Sequence, residues 1–200
     1  MNTNAVIFVL LLFAVSFVIL GLPQTVNFNS YTQPSIGGIH YGSVVCVKST
    51  TGLDECTHNI VVNNGLDLLK NVLGGQQRNM NATWVAVGNS TPLLPTDTKL
   101  NGEFVPYAGS ATACGLLNAT GTYVNAGTGA WNITYTFTSS CNNVVVNATA
   151  LYNSSTGGTG SPLYPGLTPT LFAEANFTQT TLQISDQINV TWGIYITTSG

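Results

Sequence analysis

Residues 188–197 read INVTWGIYIT. Ile188, Val190, Trp192, Ile194 and Ile196 alternate with Asn189, Thr191, Gly193, Tyr195 and Thr197. Successive side chains of a strand point to opposite faces, so this stretch is a strand with one apolar row and one mostly polar row. Residues 131–138, WNITYTFT, repeat the pattern: Trp131, Ile133, Tyr135 and Phe137 lie on one side, Asn132, Thr134, Thr136 and Thr138 on the other. TWVAVG at 83–88, NVVVNATALY at 143–152 and LFAEANFTQ at 171–179 are further strands. Clusters of Gly, Ser, Asn and Pro separate them, the longest being STGGTGSPLYPGLTP at 155–169. Many short strands punctuated in this way predict a mainly β fold, a sandwich.

The polar rows carry a second signal. N-x-S/T occurs at Asn81, Asn89, Asn118, Asn132, Asn147, Asn153, Asn176 and Asn189. A chain rich in Asn and Thr forms some of these by composition alone. The strand phase adds to composition: Asn132, Asn176 and Asn189 fall opposite the apolar rows, where a glycan would project into water. N-linked glycans at these eight positions are therefore expected. No other cofactor and no metal is expected.

In the first half, HYGSVVCV at 40–47 and CTHNIVV at 56–62 read as two strands joined by the turn STTGLDE. This hairpin sets Cys46 against Cys56. A bridge there closes a short loop and adds about 2–3 kcal/mol. Cys114 and Cys141 remain as the second pair, although four cysteines allow three connectivities. The spacing of Cys46, Cys56 and His58 matches no zinc pattern. Next comes NNGLDLLKNVLGG at 63–75, with Leu66, Leu69, Val72 and Leu73 at helical spacing and Gly74-Gly75 as the stop. One short helix is expected here, too short to stand without packing.

Upstream, residues 5–22, AVIFVLLLFAVSFVILGL, are 18 residues without a charge. Two origins compete: a cleaved export signal over residues 1–21, or a retained membrane helix. Both take the remainder out of the cytoplasm. Residues 23–39, PQTVNFNSYTQPSIGGI, are uncharged as well. Val26 and Phe28 alternate with Asn27 and Asn29, and Gly37-Gly38 makes a joint before the body. The layout is thus a leader at 1–21, an arm and linker at 22–39, and a head at 40–200.

Of 200 residues only 11 are charged, four basic and seven acidic, while Thr, Asn and Ser number 28, 21 and 14. A net charge of −3 offers no basic stripe, which excludes a nucleic-acid partner. At 44% apolar residues the chain is no disordered polyelectrolyte either. No G-x-S-x-G, H-E-x-x-H or Walker motif is present. His40 and His58 lie on the hairpin strands, and Asp54-Glu55 in its turn. Lys48, Lys70 and Lys99 are the lysines from which an isopeptide crosslink could form, and nothing in the sequence selects one. No catalytic residue is assigned, and a non-enzymatic role is expected.

The apolar leader, the uncharged arm and the Thr/Asn-rich, sequon-dense, cysteine-paired β-domain together resemble the archaeal thread filament subunits. These are surface pilins of thermoacidophilic archaea, joined by donor-strand complementation. The resemblance implies an immunoglobulin-like or pilin-like sandwich with an extended N-terminal arm. It implies an extracellular filament serving adhesion or biofilm, with the chain itself as head-to-tail partner and the membrane met only during export unless the helix is retained. Residues 24–36 would be the donor strand, with Val26, Phe28, Tyr31 and Ile36 entering an acceptor groove. Ile188, Val190, Trp192, Ile194 and Ile196 would line that groove. A second similarity, over NGLDLLKNVLGG and WVAVGNSTPLLPTDTKLNGEF within 64–107, is to viral tail and fibre proteins. A monomeric glycosylated surface or S-layer-associated protein, held by an N-terminal helix, is the alternative.

Overall fold

The strand read at 188–197 lies at the centre of its sheet. The structure, a computed structural model, describes residues 39–75, 81–89, 92–104, 114–154 and 169–198. In chain order these form β1 (Ile39–Ser49), β2 (Asp54–His58), β3 (Ile60–Val61), α1 (Asn63–Leu73), β4 (Trp84–Gly88), β5 (Ala119–Thr120), β6 (Thr122–Gly127), β7 (Ala130–Thr138), β8 (Val144–Tyr152), β9 (Leu171–Leu182) and β10 (Gln187–Thr198). One sheet, A, has the order β2-β1-β10-β7-β6, and the other, B, has the order β3-β9-β8-β4-β5. All pairings are antiparallel, and the protein is a two-sheet β-sandwich.

The expected apolar rows make the core. Ile133 and Phe137 of β7 and Val190 and Trp192 of β10 meet Leu151 and Phe177 of sheet B. A β10 side chain therefore has a core neighbour on each side within its own sheet and another across the sandwich. The stretch at 56–62, expected as one strand, is broken at Asn59: β2 belongs to sheet A and β3 to sheet B. The Ser43 hydroxyl donates to the Asn59 side-chain Oδ1 and helps hold this corner. The opposite corner turns at Gly121, between β5 and β6. A Cβ there would stand 2.4 Å from Ile133 Cγ2, so only glycine lets the chain pass this close. Neither β5 nor β6 carries an apolar alternation, and neither was expected from the pattern.

Sheet B has a further layer on its outer face. Ala86, Ala148 and Ala150 keep that face shallow. Leu100, from the loop at 92–104, packs onto them together with Tyr152 and Leu171. The loop is fastened by backbone bonds from Phe104 N–H to Val87 O (3.2 Å) and from Asn89 N–H to Gly102 O (3.2 Å). The Asn63 N–H at the start of α1 donates to Pro95 O (2.8 Å), satisfying one of the helix's otherwise orphan donors.

The helix ends at Gly74 as expected, and the face it buries is not the stripe of Leu66, Leu69, Val72 and Leu73. Gly65 and Leu68 face the body, while Leu66 and Leu73 are 54% and 69% exposed and Val72 is exposed too. The reason is close approach: a Cβ on Gly65 would lie 2.0 Å from the Phe172 carbonyl oxygen. The helix seats its glycine, rather than its leucine stripe, on the backbone of β9.

Gly65→Ala should therefore lower unfolding free energy by about 1–3 kcal/mol, the usual cost of overpacking. Leu66→Gln, one residue away, should change it by less than about 0.5 kcal/mol. Urea unfolding of the two variants checks both.

Candidate functional site

Both cysteine pairs of the sequence reading are disulfides. Cys46 and Cys56 lie directly opposite each other across β1 and β2. The second bridge, Cys114 to Cys141, ties the segment before β5 to the segment after β7. There the Ser140 N–H also donates to Cys114 O (2.9 Å). Two disulfides mark a chain that matures in an oxidising compartment, outside the cytoplasm.

The eight sequon asparagines do not share one environment. Asn81 and Asn89 are exposed loop residues. Asn147, Asn153, Asn176 and Asn189 are half-buried. Asn189 Nδ2 donates to Thr136 Oγ1 (2.7 Å), and Asn153 Oδ1 accepts from the Thr170 N–H (2.7 Å). Asn118 is buried, and Asn132 is only 2% exposed. The strand phase is as expected, since Asn132 and core residue Ile133 point to opposite faces. The face at Asn132, however, is closed to water.

The row at Ile188, Val190, Trp192 and Ile194 is fully buried against sheet B, with Ile196 half-buried at its end. β1 and β7 occupy both hydrogen-bonding edges of β10. In the folded chain this row is sandwich core with its ladder already filled. Unmatched ladder edges lie elsewhere among the described residues. β6 has a strand partner on one side only. β1 pairs with β10 along its whole length but with β2 only from Val44 to Lys48. The donor positions Val26, Phe28, Tyr31 and Ile36 lie outside the described residues.

One cluster was not anticipated. Glu174 projects from the outer face of β9, level with Ala150 and Ile60, and is completely buried under the loop at 92–104. Neither of its oxygens has a hydrogen-bond partner within ordinary geometry. Burial, reinforced by the neighbouring Asp97 carboxylate, pushes its pKa up to about 8 against a weaker opposing pull from the Leu94 N–H. Asp97 itself accepts from that N–H (2.9 Å). Beside them the Tyr152 hydroxyl accepts from the Leu100 N–H (2.6 Å) and donates to Glu103 Oε2 (2.9 Å). Burial, with the Glu103 charge next in order, raises the Tyr152 phenol far above its ordinary value. The cluster thus holds a neutral carboxylic acid and a neutral phenol across most of the pH range, and both fasten or underlie the loop. Among the described residues no set of three or more His, Cys, Asp or Glu is arranged to hold a metal ion. Among the described residues the ion pairs Lys48–Asp54 (3.0 Å) and Lys70–Asp67 are exposed.

No protein-family model, curated protein or solved structure matches the chain.

Glu174 sets the sign of the pH dependence. Its pKa is about 4.5 in the unfolded chain and about 8 when folded, so between these values the native state holds a proton that the unfolded state has lost. Stability from this group is complete below pH 4.5, falls as pH rises, and is gone above pH 8. The limiting slope is about 1.4 kcal/mol per pH unit. Denaturant unfolding at several pH values should show this decline. Glu174→Gln, which keeps the shape without the ionisation, should flatten it.

Proposed function

We propose that the chain is the structural subunit of an extracellular filament, joined head to tail through its N-terminal arm. The observation that carries this reading is the junction between arm and body. An uncharged segment of alternating apolar and polar residues runs directly into β1, whose first residues extend beyond the reach of β2. The body behind it also presents β6 as an edge strand, with Tyr123 60% exposed. An extended segment from a neighbour can add to such an edge. Main-chain hydrogen bonds then give affinity, and alternate side chains give specificity. A contact of this kind joins two different surfaces, so it does not close on itself and propagates as a fibre. The disulfides and the small number of charges suit a subunit exposed outside the cell. Glycans on the exposed sequons, first of all Asn81 and Asn89, would supply the solubility that charge supplies elsewhere.

A monomeric, glycosylated surface protein held by its N-terminal helix is the second reading. It is favoured by the complete pairing of β10, which leaves no gap at the centre of sheet A.

Removing residues 22–38 from the exported chain separates the two. The filament reading predicts folded monomers and no polymers by electron microscopy, while the intact chain forms threads. Monomers from both chains at all concentrations would support the surface-protein reading instead.

A further inference from the structure

The loop at 92–104 is fastened to sheet B unevenly. Its second half is clasped. Leu100 is buried in one cluster with Ala86, Ala148, Ala150 and Tyr152. The Leu100 N–H donates to the Tyr152 hydroxyl (2.6 Å), that hydroxyl donates to Glu103 Oε2 (2.9 Å), and Asn118 Nδ2 donates to Glu103 Oε1 (3.3 Å). Glu103 also forms a β-bridge with Gly88, and the Phe104 N–H reaches Val87 O (3.2 Å). The first half has far less. Leu94, Pro95, Thr96, Thr98 and Lys99 are exposed. Leu94 and Asp97 bond to each other: the Asp97 N–H donates to Leu94 O (2.9 Å) and the Leu94 N–H to Asp97 Oδ2 (2.9 Å). Leu93 rests half-buried against the alanine layer, and Pro95 O accepts from the Asn63 N–H (2.8 Å).

Beneath this lightly held half lies Glu174. Its carboxyl is completely buried, neither oxygen has a partner of ordinary geometry, and its polar neighbours in the loop are Asp97 and the Leu94 N–H. From β8, Tyr152 stands within electrostatic reach of both Glu174 and Glu103. The register partners of Glu174, Ile60 on β3 and Ala150 on β8, do not titrate. Asp67 and Lys70 of α1 pair with each other in solvent, and Lys99 is exposed. Among the described residues Glu174 thus meets acidic groups and no cation. Burial and a like charge both favour the protonated form of such a carboxyl.

We propose that residues 92–99 are a strap held down by the proton on Glu174, and that loss of this proton lifts the strap off sheet B while residues 100–104 stay clasped. An ionised Glu174 needs water, and a local opening supplies it with the fewest contacts broken. Lifting residues 92–99 gives up the Asn63–Pro95 bond and the partial burial of Leu93. Unfolding the head gives up the whole core around Trp192. The turn of Leu94 and Asp97 can travel intact, because its two bonds are internal. Its departure uncovers Glu174 and Ala150 beside Ile60, which is exposed already. The sign follows from the proton: the strap is closed in acid. Its opening equilibrium rises about tenfold per pH unit between pH 4.5 and about 8, then levels off.

A strap differs from a general loss of stability. A head that only weakens with pH opens everywhere at once, whereas a strap opens alone and leaves both sheets intact. The outer face of sheet B then has two states set by the pH outside the cell, covered in acid and partly bare in alkali. This holds whether or not the chain forms filaments.

The Asn63 amide reports the opening, because it loses its acceptor when Pro95 leaves. Its hydrogen exchange is followed by NMR on the exported chain between about pH 5 and about pH 8. The rate should rise about a hundredfold per pH unit, about tenfold from base catalysis of exchange and about tenfold from the strap. It should also be about a hundredfold faster than exchange at Phe104, behind the clasp, and along β10. A rise of only about tenfold per unit at Asn63, which is catalysis without opening, would overturn the proposal. So would an Asn63 rate that merges with the rates of Phe104 and β10, the mark of one global opening. Glu174→Gln is neutral at every pH and should return Asn63 to the smaller rise; a variant that kept the larger one would also overturn the strap. Should Glu174→Gln not fold, the two measurements on the unaltered chain decide by themselves.

Discussion

The structure depends on β10 being paired along both edges and buried on one face. β1 matches it over eleven residues and β7 over nine. Its inward row meets sheet B through Ile188, Val190, Trp192 and Ile194. Each fully buried side chain of this size contributes about 1.5–3 kcal/mol, and a one-residue slip would send the entire row to the other face. The register of sheet A is therefore fixed by this one strand. The packing has a cost: the Trp192 indole N–H has no acceptor among the described residues, a loss of about 1–3 kcal/mol if nothing meets it. The core tolerates this unsatisfied donor because the ring fills the space between the sheets.

Around this seam the chain closes its sides by changing sheets, at Asn59 and at Gly121. Both corners are set by local chemistry: a hydroxyl–amide bond at one and the absence of a Cβ at the other. The outer face of sheet B is covered by a loop over three alanines, with a buried carboxylic acid beneath it. Such a group gains nothing from ionising, so the fold is better suited to acid than to alkali. With so few charged residues, few other carboxylates oppose that trend.

Much of the fold was legible because period-two alternation is explicit at 131–138 and 188–197, and β-rich runs mark β1, β4, β8 and β9. Other parts were not legible, for identifiable reasons. Residues 119–127, ATGTYVNAG, are small and polar and show no alternation, so β5 and β6 declare themselves only through their partners. The leucine stripe of α1 suggested the buried face, but Gly65 decided the orientation, because steric closeness to Phe172 outweighed apolar area. Asp97, Glu103, Tyr152 and Glu174 come from distant parts of the sequence, and Glu174 sits in a row that alternation assigns to solvent. The alanines at 86, 148 and 150 on that same row were the available sign that something packs there. The sequons carry the same lesson: phase says which face Asn132 points to, but not what lies over that face.

Amide hydrogen exchange on the monomeric exported chain is the most direct test of this organisation. The account predicts that the amides of Gln187–Thr198 are among the slowest in the protein and open only with global unfolding, before any assembly. Fast exchange along β10 in the monomer, with protection appearing only in polymers, would contradict it and show that the central strand waits for a neighbour to complete its sheet.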